Sequence, residues 1–425
     1  RGEDERAWST WASSVWVAIP VSLGVGWVVF WQIESVSHFY SNSNLGRALG
    51  VLIWALPLWV LLQLSVSALR GLKQARDAMV AQEVIGNLFR LPLVAAGFVF
   101  GASLRAFSWI FLLSFGLAAL ASLGLLCRHF PARRRWRVQK EQLRDLLGYS
   151  LPLTFSTLLG RMKTQGQFVI LGYFLTSGDL GVLGAALLLA QSTTLALPLF
   201  NFMLLPMFSE HVAQGDWQKL KYLYRTTSKW ILFLALGPLL WMALHAGRLL
   251  TFLFGSSYAA GRPALLLLLM GFGVNAIAGP VGLVILAAGK TRQYLMFDVL
   301  GAALAVALSF LLAPTLGLLG GSIAISVSVV VWNLASLAYV YSRYGIQPLG
   351  GGHLFYGTVL LLTLGLGFWL AAELRLSSVG SMALTGGLLL IASLALAVYL
   401  IVWGREGPEV VDLIRRLTRR ARASA

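Results

Sequence analysis

The chemistry open to this sequence lies in charges embedded in apolar runs. Leu146–Leu175 (LLGYSLPLTFSTLLGRMKTQGQFVILGYFL) carries Arg161 and Lys163 near its middle, with Gln165 and Gln167 just after. A second run, Ala78–Gly101, carries Glu83, Asn87 and Arg90 at spacings of four and three, which is one face of a helix. If both runs span a membrane, Arg161 lies about 22 Å along its helix and Arg90 about 18 Å along the other. Both depths fall well inside a hydrocarbon layer about 30 Å thick. A Lys or Arg at a helix centre costs about 2.5–3.5 kcal/mol, so the three cations simply immersed would cost roughly 8–10 kcal/mol. They must face water, a counter-charge or an anionic cargo. The candidate chemistry is therefore binding of an anion in a hydrated cavity.

Each set has a purely structural alternative. Glu83 and Arg90 could form an internal ion pair that fixes helix packing. On the central run Arg161 and Gln165 share one side, while Lys163 and Gln167 lie about 160° away, and a regular helix cannot aim both sides at one cavity. Either Gly160 and Gly166 allow a local break, or one cation packs against a neighbouring helix. Arg161 is the first choice for the cavity and Lys163 the second. Asn201, Asn275, Asn333 and the cluster Gln191–Thr194 are read mainly as interhelical hydrogen-bonders, with Asn201 and Asn275 available to a cargo's hydroxyls.

The elements that must position these groups follow from composition. Of 425 residues, 58% are hydrophobic and only 12% charged, and mean hydropathy is +0.78. A soluble core does not need repeated apolar runs of twenty residues; an all-α polytopic membrane protein does. Twelve spans are expected, roughly Trp11–Trp31, Leu45–Leu69, Ala78–Gly101, Leu104–Leu126, Leu146–Tyr173, Leu180–Phe208, Trp230–Phe254, Pro263–Ala288, Tyr294–Ala313, Leu318–Tyr341, Leu354–Ala372 and Gly380–Trp403. Trp8, Trp11, Trp27 and Trp31 are read as interface anchors.

The net charge of +17 lies between the spans. Alternate loops carry the Lys and Arg residues, while the opposite loops offer only Arg47, Arg105, Arg248, Arg262 and Arg375. By the positive-inside rule the basic side is cytoplasmic, and both ends of this chain are inside. The connections Arg128–Asp145 and His211–Lys229 are expected to lie on anionic headgroups, and nucleic acid is not an expected partner. The single Cys127 excludes an intrachain disulfide. The GKTR at Gly289–Arg292 lacks the glycine spacing of a phosphate-binding loop, and no metal-ligand cluster or nucleophile–base pair is present. Neither enzymatic activity nor a cofactor or metal is expected.

From Leu146 onward the sequence resembles the polysaccharide-exporter, lipid-linked-oligosaccharide flippase branch of the multidrug/oligosaccharidyl-lipid/polysaccharide superfamily. The resemblance rests on four stretches in order: LLGYSLPLTFSTLL with LGYFLTSGDLGVLGAALLLAQ, then LFGSSYAAGRPALLLL, then AAGKTRQYLMFDVLGAALAV, then SFLLAPTLGLLGGSIAISVS. It implies two six-helix lobes related by a pseudo-two-fold along the membrane normal, with two further C-terminal spans. On that template residues 1–127 hold the last four spans of the first lobe. Residues 128–145 are a basic cytoplasmic linker, 146–345 the second lobe, 346–404 the extra pair and 405–425 a basic tail. The Met-less, charged start RGEDER fits a fragment lacking two N-terminal spans, and relatives place cavity residues on one of those. Gln167 stands where many relatives have an acid, so no ion-coupling role is carried over to it.

The function implied is translocation of a polyprenyl-diphosphate-linked oligosaccharide across a bacterial plasma membrane by alternating access. Membrane lipids, and a polysaccharide polymerase or glycosyltransferases, are the expected partners of a monomer. A cation-coupled multidrug exporter is the rival transporter, but it would need buried carboxylates, and Glu83 is the one deep acid. A membrane glycosyltransferase or polymerase is the rival of another class, and the outer loops are short for one.

Overall fold

A computed structural model describes the backbone of residues 2–40, 43–72, 74–129, 166–348, 351–375 and 377–402. Among these residues every regular element is a helix. Nine helices are long and apolar enough to cross a membrane, and Asn44–Leu52 with Ala55–Gly71, bent by 42°, would make a tenth crossing. Large apolar side chains cover the outside: Trp27, Phe98, Leu120, Phe252, Met270 and Leu362 are all exposed. In water such a surface would aggregate; in lipid it is the solvated face. The protein is an all-helical, multi-pass membrane protein.

The chain divides into two compact units, Arg1–Phe155 and Ser156–Ala423. In the first, α1 (Gly2–Trp31), α2 (Ile33–Phe39), α3 (Ser43–Leu52), α4 (Ala55–Gly71), α5 (Ala75–Met79), α6 (Gly86–Val99) and α7 (Leu104–His129) follow in order. Helix α7 packs on α3, α4 and α6, and α1 packs on α4. The packing follows from small residues: Ser114, Ala118 and Ser122 recur every fourth position of α7 and are buried, so neighbouring backbones approach closely. Trp8 and Trp11 are buried in this core and stack at 4.9 Å, whereas Trp27 and Trp31 are exposed. The interface-anchor reading is thus corrected for Trp8 and Trp11, whose indoles fill the space beside α4 and α7.

In the second unit come α8 (Gln167–Phe174), α9 (Ser177–Ser192), α10 (Ala196–Ala213) and α11 (Trp217–Phe254). A 3-10 turn (Ser256–Gly261), α12 (Arg262–Ala278), α13 (Val281–Ala287), α14 (Thr291–Leu316) and α15 (Leu318–Tyr344) follow. The unit closes with α16 (Gly351–Glu373) and α17 (Ser378–Val402), a pair packed on each other and on α11. Two of the expected spans are broken. Leu180–Phe208 becomes α9 and α10, because Ser192, Thr193 and Thr194 donate their hydroxyls to the carbonyls of Leu189, Ala190 and Gln191. These groups serve their own helix, not a neighbour as the sequence suggested. Pro263–Ala288 breaks at Gly279 and Pro280, where Pro280 has no N–H to continue the ladder.

The second break is stabilised from α11. At Gly279 φ is +59°, and a Cβ there would meet the side chain of Ser228, so only glycine fits. The Ala278 carbonyl, released from the helical ladder, accepts a 2.7 Å hydrogen bond from the Tyr224 hydroxyl. Tyr224 is wholly buried. His211–Lys229 is therefore no uniform headgroup segment: its latter part is the start of a 38-residue helix, with Tyr224 turned into the protein. Tyr224→Phe removes the donor and strands a buried carbonyl, a cost of about 1–3 kcal/mol. Thermal unfolding of the purified protein is expected to show that loss.

Asp216 caps α11, accepting from the Lys219 N–H at 3.0 Å and pairing with its ammonium at 2.9 Å. The hydrogen bond from the Lys219 ammonium, then that from its backbone, holds the carboxyl below the ordinary carboxylate range. The cap is therefore complete above the unfolded value and is lost as pH falls through the lowered one. Amide protection at the start of α11 is expected to hold from neutral to mildly acidic pH and to drop only in stronger acid.

Candidate functional site

The span that carries Arg90 is built from α5, a π-helical turn at Val80–Ile85, and α6. A wide turn of this kind is rare and frequent at functional sites. Arg90 lies 14 residues beyond Arg76, about 21 Å along a span of 24 residues. It is only partly buried, among the exposed apolar neighbours Leu88, Phe89 and Leu91.

What holds Arg90 is aromatic. Its guanidinium carbon lies 4.9 Å from the ring centroid of Phe115 and 5.1 Å from that of Phe111, both on α7. The two rings are four residues apart and so share a helix face. Small residues make the approach: Gly86 faces the methyl of Ala118, and a Cβ there would lie 3.8 Å from an Arg90 terminal nitrogen. Arg90 Nε is buried with no hydrogen-bond partner among the described residues. A ring face attracts the cation without neutralising it. A guanidinium fork has the geometry to bind an oxygen-rich anion.

The remaining candidates are spread out. Asn87, a turn before Arg90, is half-buried, and the Glu83 side chain lies outside the described ones. Arg161, Lys163 and Gln165 also lie outside the described residues. Gln167 opens α8, which packs on α9 and α14; it is 2% exposed, and its side-chain nitrogen has no hydrogen-bond partner among the described residues. Asn201 on α10 is half-buried with its side-chain oxygen likewise unpartnered, and α10 packs on α11 and α13. Asn275 is half-buried on α12, one turn before the Gly279 break. These amides sit on different helices. Asn333 donates to Val329 O within α15, where the sequence suggested a bond between helices.

Sequence reasoning assigned nothing to His245, which the fold makes central. It is 1% exposed, sits at a kink in α11, and its Nε2 lies 2.9 Å from the Thr385 hydroxyl on α17. Its ring is parallel to that of Phe368 on α16. The one available signal was the Pro238–Gly247 interruption of a long apolar run, and it gave no partner.

A family model described as polysaccharide biosynthesis protein matches residues 3–262, more than half of the chain. The chain belongs to that family. No curated protein sequence matches this one closely enough to count as a relative. Among solved structures, this polysaccharide biosynthesis protein superposes on the lipid II flippase MurJ in an inward closed conformation. That match has a TM-score of 0.72 and 12% identity, covering 94% of this chain and 85% of the other. An inward-facing multidrug resistance MATE family transporter of the MOP superfamily gives 0.66 and 16%, covering 78% and 79%. A MOP superfamily transporter from Pyrococcus furiosus gives 0.57 and 16%, covering 81% and 80%. At these identities the likeness establishes the fold, which this chain shares with those membrane proteins.

Proposed function

We propose that this family member exports a polyprenyl-diphosphate-linked oligosaccharide across a bacterial plasma membrane by alternating access, with its basic loops and both ends of this chain on the cytoplasmic side. Arg90 is the observation that carries this reading. It is a mid-span cation gripped by two phenylalanine rings and left without a carboxylate partner among the described residues. Such a group suits a diphosphate and repels a cationic drug. Arg161 and Lys163, which precede α8 in the sequence, are further candidates for the diphosphate, and Asn87, Asn201 and Asn275 for sugar hydroxyls. Membership of a polysaccharide biosynthesis family and a fold shared with a lipid II flippase support this choice over a multidrug exporter.

The test is translocation in sealed vesicles holding the purified protein. A fluorescent polyprenyl-diphosphate oligosaccharide is expected to become accessible to an external quencher, while a lipophilic cationic dye is not moved. Dye export without movement of the glycolipid would overturn the proposal in favour of a multidrug exporter.

A further inference from the structure

The second unit carries two arginines that line one cavity. A cavity of about 680 Å³ is bounded by α11, the 3-10 turn, the start of α12 and the C-terminal pair. Its polar lining is Arg248, Arg262, Thr251 and His245; Phe252 and Phe368 are among its apolar walls. Both arginines are exposed, and neither has a hydrogen-bonded or ion-paired acid among the described residues. No carboxylate lines the cavity.

The two arginines line the same cavity for a local reason. The stem of Arg262 crosses α11 at Gly247, with its Cδ 3.4 Å from where a Cβ would stand. The residue after Gly247 is Arg248, so the two side chains start from adjoining points. Beneath them, Thr385 donates its single hydroxyl proton to Ser381 O at 2.8 Å and meets His245 Nε2 at 2.9 Å. The Nδ1 atom of His245 stays buried with no hydrogen-bond partner among the described residues. A wall with two guanidinium groups that have no acid partner among the described residues, beside a buried ring nitrogen with no hydrogen-bond partner among them, suits a polar ligand.

We infer that Arg248 and Arg262 bind a phosphate group, carried by a membrane phospholipid headgroup or free in solution. Two forks oppose two or more phosphate oxygens, while Phe252 and Phe368 border the apolar side of the cavity. The site belongs to the second unit and uses no residue named for the proposed export reaction.

The test uses the whole purified chain in detergent and native mass spectrometry. Three probes are compared: short-chain phosphatidylglycerol, diacylglycerol of the same chain length, and inorganic phosphate. Phosphatidylglycerol is expected to bind the wild type. Binding should weaken about tenfold in Arg248→Gln and in Arg262→Gln, since each loses a charge-assisted contact. Arg292→Gln, at the start of α14, should leave it unchanged. Inorganic phosphate binding by itself assigns the site to the free anion; phosphate that binds only as part of the glyceride assigns it to the headgroup. Either outcome supports the site. Equal retention of phosphatidylglycerol by the wild type and the double variant, or equally tight binding of diacylglycerol, overturns it. Because no transport is measured, failure here leaves the exporter reading untouched.

Discussion

Arg90→Gln is expected to lower translocation of a diphosphate-linked glycan by at least about tenfold while the protein still inserts and folds. Glutamine retains a polar group of moderate length but gives up the charge and the planar fork. A hydrogen bond to a charged group is worth about 1.5–3 kcal/mol, a factor of roughly ten to a hundred. The folding cost is smaller, because what is lost from the apo protein is a pair of ring contacts worth about 0.5–2 kcal/mol. Arg90→Lys should fall between the two, since it keeps the charge but presents a point instead of a fork. Phe115→Leu adds a separate check: it leaves the charge and removes the nearer ring, 4.9 Å away. Reduced transport with normal folding would then mean that the rings hold the guanidinium in place. If vesicles bearing Arg90→Gln move the glycolipid at the wild-type rate, Arg90 has no part in binding cargo.

Gly320→Val is expected to abolish the folded second unit, the largest stability effect anticipated for a single substitution here. Helices α14 and α15 form a hairpin through Gly317, whose φ is +54°. Three residues on, Gly320 lies directly against the backbone of Leu312 and Ala313. A Cβ would overlap the Leu312 carbonyl and stand 2.9 Å from Ala313 N. Backbone cannot swing aside as a side-chain tip does, so the two helices must separate, at a cost of about 3 kcal/mol or more. Gly24→Val on α1 is the matched control, because nothing lies within 4 Å of the added atom. The yield of monodisperse protein after detergent extraction should collapse for Gly320→Val and hold for Gly24→Val. Similar yields would mean that the hairpin can open without loss.

Much of this protein is decided by its one-dimensional pattern. Apolar runs such as Leu104–His129 and Leu318–Tyr344 must be helices, since hydrocarbon offers a backbone N–H no partner other than its own chain. That constraint is local, so span positions and the all-helical class can be read residue by residue. The expense of a cation at depth is equally local, and it marks Arg90, Arg161 and Lys163 as candidates without a structure.

Other features depend on what comes near in space. That two rings meet the Arg90 guanidinium is decided by the packing of α7 on α6, and nothing in the sequence marks Phe111 and Phe115 as its neighbours. The break after Ser192 carries its own hydroxyl bonds, and the one at Gly279 and Pro280 is stabilised by Tyr224, which is 54 positions from the carbonyl it satisfies. His245 seemed isolated because Thr385 is 140 residues away, and Arg248 and Arg262 share a cavity only because Gly247 leaves room for one stem to cross the other's helix. Hydropathy is a sum over neighbours in the chain. Partnership between polar groups depends on distances that only the folded helices create.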